Sequence, residues 1–198
     1  MGFSGHLVFA RSRGPLSEEP VFAALGQRTE GRVDAWWPRP GGWQTLQVVQ
    51  GLWEDDFLPV LAGSTGAPVC VADVSDSSVA LVTGLGTDGR RWQAWLNLDV
   101  AAGMLTERPD DVDDDSLWAA TPACDEAVER TLAELQEDVP ADAEGALVWA
   151  TAAGVRRPGE RSRIEELLGA RETFVEDLFS DLLDELGSPR AVEPSPES

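Results

Sequence analysis

The chain contains no lysine and no tyrosine, and only one isoleucine (Ile164), one asparagine (Asn97) and one histidine (His6). The amino acids it lacks are those with AT-rich codons. The scarcity therefore reads as the bias of a GC-rich bacterial genome, and the use of arginine at every basic position carries no information about binding. A single histidine excludes a multi-histidine metal site, and any His-based nucleophilic triad would have to use His6. Two cysteines, Cys70 and Cys124, make no disulfide framework in a chain of 198 residues. Cys70 lies in the apolar run Val69-Cys70-Val71 and reads as a small core residue. No run approaches the roughly 20 apolar residues of a membrane span. The N-terminus does not read as a signal peptide: its apolar run, Leu7 to Ala10, is short, and Arg11 and Arg13 follow it. We expect a cytoplasmic protein without cofactor or metal.

What the chain has in excess is acid. Thirty-six Asp and Glu stand against 15 Arg, a formal charge of −21. The excess is uneven: residues 1–98 carry ten acids and seven arginines, 99–145 fifteen and two, 146–198 eleven and six. A surface of this sign repels phosphates and anionic membranes, and no basic stripe offsets it, so neither nucleic acid nor membrane is expected as a partner. It suits a basic protein partner, cations or a salt-rich cytoplasm. All eight tryptophans fall between Trp36 and Trp149. A chain of this length buries about 70% of the surface it exposes unfolded, so it needs no staples.

Residues 3–11 read as a first strand. Ser17 is placed as the N-cap of a helix with Pro20 in its first turn and Val21, Phe22 and Leu25 on one face. Residues 32–37 and 43–49 read as strands joined by Pro38-Arg39-Pro40-Gly41-Gly42, which is strong turn chemistry. A short helix is expected over 53–61, closed near Gly63. Three apolar, β-branched or aromatic runs, 67–74, 78–85 and 90–98, are separated by Ser75-Asp76-Ser77 and Gly86-Thr87-Asp88-Gly89. Connections this short make hairpins, so the region reads as an antiparallel meander with Cys70, Val71, Leu81 and Leu96 largely buried.

After Asp99 the period turns helical. Thr121-Pro122 opens a helix to about Glu137, with Ala127, Val128, Leu132 and Leu135 at helical spacing. Residues 143–153 are apolar, and either a buried helix or a last strand fits them. Residues 161–168 and 171–186 read as two more helices around Gly169. The last sets Phe174, Val175, Leu178, Phe179, Leu182, Leu183 and Leu186 against an acidic side, a stripe wide enough to need a partner surface. We expect it to dock on the chain's own core; the alternative is a symmetric dimer through Phe174, Leu178 and Leu182. Gly187 ends it, and 187–198, rich in Pro, Ser and Glu, is expected to be a disordered tail.

Five stretches invite a chemical reading. Asp110-Asp111-Val112-Asp113-Asp114-Asp115 has the alternating acids of a calcium loop, but Ser116 stands at the turn glycine and Pro122 at the closing Glu, so a solvated loop or acidic helix start fits better. Gly84-Leu85-Gly86-Thr87-Asp88-Gly89 matches the dinucleotide fingerprint, yet a strand follows where the fingerprint needs a helix N-terminus. Asp73 and Asp76 flank a turn and could act as an acid–base pair, although Asp and Ser bond the backbone in such segments. The basic cluster over 155–163 could hold an anion or face the protein's own carboxylates. Trp36-Trp37-Pro38-Arg39-Pro40-Gly41-Gly42-Trp43 is the most unusual local sequence. Trp36 and Trp37 must point to opposite faces of a strand, as must Trp92 and Trp95, so both faces of the sheet carry indole. Either helices cover both faces, or one face binds something.

These readings converge on an α+β fold of one domain, residues 1–186. An antiparallel sheet of five or six strands comes mostly from 1–98, and helices from 99–186 pack against it. In charge and size the chain is similar to small acidic bacterial immunity or antitoxin proteins, which occlude a basic partner. The expected function is a non-catalytic protein-interaction module, of that kind or a complex subunit, binding through Trp36, Trp37, Arg39 and Trp43. The alternative is a carboxylate-based hydrolase or small-ligand-binding protein using Asp73, Asp76 and Arg39 around a tryptophan-lined pocket. A monomer is favoured over a homodimer.

Overall fold

A computed structural model of the chain describes residues 2–22, 33–49, 53–54, 56–107, 109, 118–155, 157–188 and 190. Strand alternation builds its sheet. In β1 (Gly5–Arg11), Leu7 and Phe9 point to one face and Val8 and Ala10 to the other; all four are buried, so apolar layers lie on both sides. The other strands are β2 (Val33–Pro38), β3 (Trp43–Val49), β4 (Val69–Ser75), β5 (Val79–Leu85) and β6 (Arg91–Leu96). They form one six-stranded sheet in the order β2-β3-β1-β4-β5-β6, with every neighbouring pair antiparallel. The fold is α+β, and its helices come mostly from the second half of the chain.

Among the described residues five α-helices accompany the sheet: α1 (Phe57–Thr65), α2 (Leu98–Leu105), α3 (Pro122–Ala152), α4 (Arg161–Leu168) and α5 (Val175–Glu185). On one face, Phe9, Trp43, Trp92 and Leu96 meet Trp149 of α3, Ile164 and Leu168 of α4, and Leu178, Phe179 and Leu182 of α5. On the other, Val8, Leu46, Val48, Val69 and Val71 meet Leu16, Phe22, Leu58 and Leu61. Trp149 closes the first layer: its indole Nε1 donates to the carbonyls of Val69 at 3.1 Å and Leu85 at 3.3 Å, a cross-strand pair at the ends of β4 and β5.

The stripe of α5 docks inside the chain. Leu178, Leu182, Leu183 and Leu186 are no more than 1% exposed, so this stripe is spent within the chain. Phe174 is not part of that stripe; it precedes the helix and is 56% exposed.

The tether that sets this docking is Asn97. It is buried, with a left-handed backbone (φ 59°), which asparagine tolerates better than most residues. Its Nδ2 donates to the Ser78 carbonyl at 2.6 Å and the Glu172 carbonyl at 2.9 Å, and its Oδ1 accepts from the Glu172 N–H at 3.0 Å. One amide thus ties the end of β6 to β5 and to the segment leading into α5.

Three local expectations need correction. Ser17 is no N-cap but lies inside a short helical turn, Leu16–Glu18, that buries Leu16. The helix expected over 53–61 is displaced to α1, which runs past Gly63 and ends at Gly66, where a left-handed C-cap (φ 62°) suits glycine. α3 is one helix of 31 residues that passes through Pro140. An internal proline costs about 3 kcal/mol, and the apolar face beyond it, Ala143, Ala146, Trp149 and Ala150, is buried deeply enough to hold the helix together. The meander buries Cys70, Val71 and Leu96 fully and Leu81 in large part, since the face of β5 that carries Leu81 extends beyond the cover of α1. Leu25 and the tail beyond 190 lie outside the described residues.

Candidate functional site

The Trp36–Trp43 segment forms the β2–β3 connection, and the structure distributes its side chains as strand alternation demands. Trp36, opposite Leu46, turns to the α1 side of the sheet, is 38% exposed, and donates its Nε1–H to Gln44 Oε1 at 2.9 Å. Trp37, opposite Thr45, turns to the α5 side. Trp43 is core: its ring lies 4.6 Å from Phe9, stacked within 2°, with the Arg11 guanidinium 5.6 Å from its centroid. Its expected part in binding is therefore replaced by packing.

Arg39 is buried despite its charge. Its Nε donates to Thr45 Oγ1 at 3.1 Å, its Nη1 pairs with Asp184 of α5 at 3.4 Å, and its guanidinium lies 5.4 Å from the Phe9 ring centroid. Desolvation pulls its pKa below the ordinary arginine value, and the Asp184 charge and hydrogen bond oppose that shift. Arg39 is a fixed floor group between sheet and helix.

Trp37 and Arg39 open on a groove of 550 Å³ between the β1–β3 side of the sheet and α5. Thr45 and Arg39 line its floor, Trp37 and the exposed Phe174 its apolar walls, and Glu176 and Asp177 its acidic end. Glu176 is placed by Ser77, whose hydroxyl donates to its Oε1 at 2.5 Å and accepts from the Phe3 N–H at 2.7 Å. The other carboxylate oxygen, Oε2, is buried and meets no hydrogen-bond donor among the described residues. A buried acceptor in that condition loses its hydration without recompense, so a donor arriving from outside would be stabilised there. Sequence reasoning missed Phe174, Glu176 and Asp177 because 130 residues of chain separate them from the tryptophan motif; only docking of α5 brings the two together.

The two aspartates stand elsewhere. Asp76 is a turn residue: it and Ser77 have positive φ within the three-residue connection 76–78 between the paired Ser75 and Val79, and its Oδ1 accepts from the Gly2 N–H at 2.7 Å. Asp73 lies on the α1 face, 3.4 Å from His6 Nε2, in a separate cavity that includes Trp53. Asp73, Asp76 and Arg39 do not gather around one pocket.

The remaining motifs have structural explanations. Gly84 is glycine because the Trp92 indole of the next strand lies on it: a Cβ there would sit 1.9 Å from Trp92 Nε1. Gly89 has φ 82° and closes the β5–β6 turn, and strand β6 follows it, so the glycine pattern belongs to a hairpin. In the basic cluster, Arg161 pairs with Glu165 at 2.7 Å and Glu144 at 3.3 Å, and Arg163 with Glu166 at 2.6 Å; these carboxylates raise both arginine pKa values. Arg156 of that cluster and the whole run 110–115 lie outside the described residues. Burial pushes the Cys70 thiol pKa up, away from reactivity. Trp95, on the opposite face from Trp92, lines a 250 Å³ cavity with Asp138 and Asp142 of α3. There, burial and the charge of Asp138 hold the Asp142 carboxyl up at about 6. Among the described residues no group of three or more His, Cys, Asp or Glu is placed to hold a metal ion, and no helix is long and apolar enough to cross a membrane. A scan against protein-family models finds no match, and neither curated proteins nor solved structures provide one.

Proposed function

We propose that the protein is a non-catalytic, acidic interaction module, immunity- or antitoxin-like or a complex subunit, that acts in the bacterial cytoplasm by holding a basic segment of a protein partner in the groove between Trp37 and Phe174. The observation that carries this reading is the groove's chemistry. Two aromatic walls flank a carboxylate whose buried Oε2 meets no donor among the described residues. Aromatic faces attract cations, a desolvated carboxylate accepts strong hydrogen bonds from them, and the field of a chain carrying −21 steers a basic partner inward. Arg39 contributes by holding the floor rigid rather than by meeting the partner, since Thr45 and Asp184 engage it.

The reading is tested by calorimetric titration of the intact chain with an arginine-rich decapeptide bearing one apolar residue. Binding is expected to weaken by roughly tenfold in Glu176→Gln and in Phe174→Ala, about 1.4 kcal/mol each. Affinity that depends on salt but ignores both substitutions would mean non-specific attraction to acidic surface, and would defeat the assignment of the groove.

A further inference from the structure

Among the described residues, the sheet's second face is only half covered. α1 and the N-terminal turn lie over β3, β1 and β4, whereas on β5 and β6 Thr83 is half-buried and Arg91 and Gln93 are exposed. Where cover ends there is a cavity of 210 Å³, lined on its apolar side by Trp53 and floored by polar side chains from four strands. At one end is the His6–Asp73 pair, His6 Nε2 standing 3.4 Å from Asp73 Oδ1, with the imidazole stacked 5.9 Å from the Trp53 ring. At the centre, Gln93 Nε2 donates to Thr83 Oγ1 at 3.1 Å, which leaves the Thr83 hydroxyl hydrogen and the Gln93 carbonyl oxygen for another molecule. At the other end is Arg91. Among the described residues no carboxylate pairs with it, although the chain has 36.

The strand register sets the distance between the charged ends. Asp73 pairs with Leu81 on β5, and Arg91 pairs with Leu85 four residues further along that strand. With strands about 4.8 Å apart and a rise of about 3.3 Å per residue, the two backbones are roughly 16 Å apart on a diagonal. The long arginine and the shorter aspartate extend toward the cavity between them. What they leave open suits a ligand whose opposite charges lie several bonds apart, and an extended peptide covers at most about 3.5 Å per residue.

We propose that this cavity is a second binding site, for a small zwitterion of dipeptide size, its carboxylate on Arg91 and its ammonium on Asp73. Thr83 and Gln93 meet the polar middle of the ligand, and Trp53 its apolar side. His6 acts here as a positioning residue: packed on Trp53, it orients Asp73. The site is independent of the Trp37–Phe174 groove, which lies on the opposite face of the sheet.

The test uses the intact chain and three probes: alanyl-alanine, its N-acetyl derivative and its C-terminal amide. Binding is followed by calorimetry, with tryptophan indole NMR signals locating it. The free dipeptide is expected to bind at least roughly tenfold more tightly than either blocked form. Arg91→Gln should abolish its advantage over the amide, and Asp73→Asn its advantage over the acetylated form. Both side chains are exposed, and far-UV circular dichroism verifies that the variants fold. Arg163→Gln, an exposed control on the helix α4 of the opposite face, should leave dipeptide binding unchanged. Equal binding of the three probes, absence of binding at millimolar dipeptide, or blocked-form preferences that survive both substitutions would each overturn the proposal.

Discussion

Asn97 shows how much one side chain holds. Its three hydrogen bonds and its left-handed backbone make two separable contributions. Asn97→Ala should destabilise the protein by about 2–4 kcal/mol, since it orphans buried backbone groups and puts at positive φ a residue that tolerates it less well than asparagine. Asn97→Gly should recover about 1 kcal/mol of that loss, because glycine relieves only the backbone part. Urea denaturation of the three proteins checks the order Asn, Gly, Ala. Asp142 is the counterpart in charge. Burial and Asp138 raise its folded pKa to about 6, so its ionised form is less stable in the folded protein than in the unfolded chain. A raised carboxyl pKa contributes stability at low pH that is lost as pH rises from the ordinary Asp range through about 6. Asp142→Asn should therefore melt higher than the parent at pH 7.5, by about 1 kcal/mol after allowance for solvent screening, and the gap should close by pH 4. Paired thermal melts across that range measure it.

At the scale of elements, α3 is the least obvious. Its first half, with Ala127, Val128, Leu132 and Leu135 half-buried, runs beside α2, and its second half is driven into the sheet by Trp149. Pro140 stands at the junction, where it denies a helical hydrogen bond to the Gln136 carbonyl, while its own carbonyl accepts from Arg161 Nη2 at 2.9 Å. Pro140→Ala should leave the fold intact and stabilise it by about 1–3 kcal/mol, measured by chemical denaturation. A junction that requires the proline's kink would show the opposite sign. α5 differs in kind. Its stripe finds the sheet in cis, and in doing so it carries Glu176 and Asp177 to the groove that Trp37 and Arg39 begin.

For the whole molecule, charge dominates. A chain of −21 with its acids concentrated between 99 and 145 repels itself, and the exposed pairs such as Arg161–Glu165 offset little of that. Added salt should therefore raise the melting temperature between about 20 mM and 500 mM sodium chloride, as the Debye length falls from tens of ångströms to a few. Binding of the basic decapeptide should weaken over the same range. The two trends have opposite signs, so one series of melts and titrations separates self-repulsion from partner attraction.

How much of this was legible in sequence follows from the range of the forces involved. Residue alternation over 69–96 determined the meander, because a strand has a period of two and the connections were too short for anything but hairpins. The same period put Trp36 and Trp37 on opposite faces, and the spacing of Leu178, Leu182 and Leu186 determined that α5 needed a surface. Other features depend on residues far apart in the chain. Pro140 reads locally as a helix end, and only the burial of Trp149 beyond it decides otherwise. Gly84 reads as part of a hairpin because a strand follows it, but why that position is glycine shows only when Trp92 is seen lying on it. The candidate sites are the extreme case: Trp37 meets Glu176, and His6 meets Asp73, only after the sheet places β1 at its centre and α5 folds back across it. Local sequence determines periodicity and turns, because those are set by bonded neighbours; which faces meet, and so which side chains share a cavity, is decided by burial summed over the whole chain.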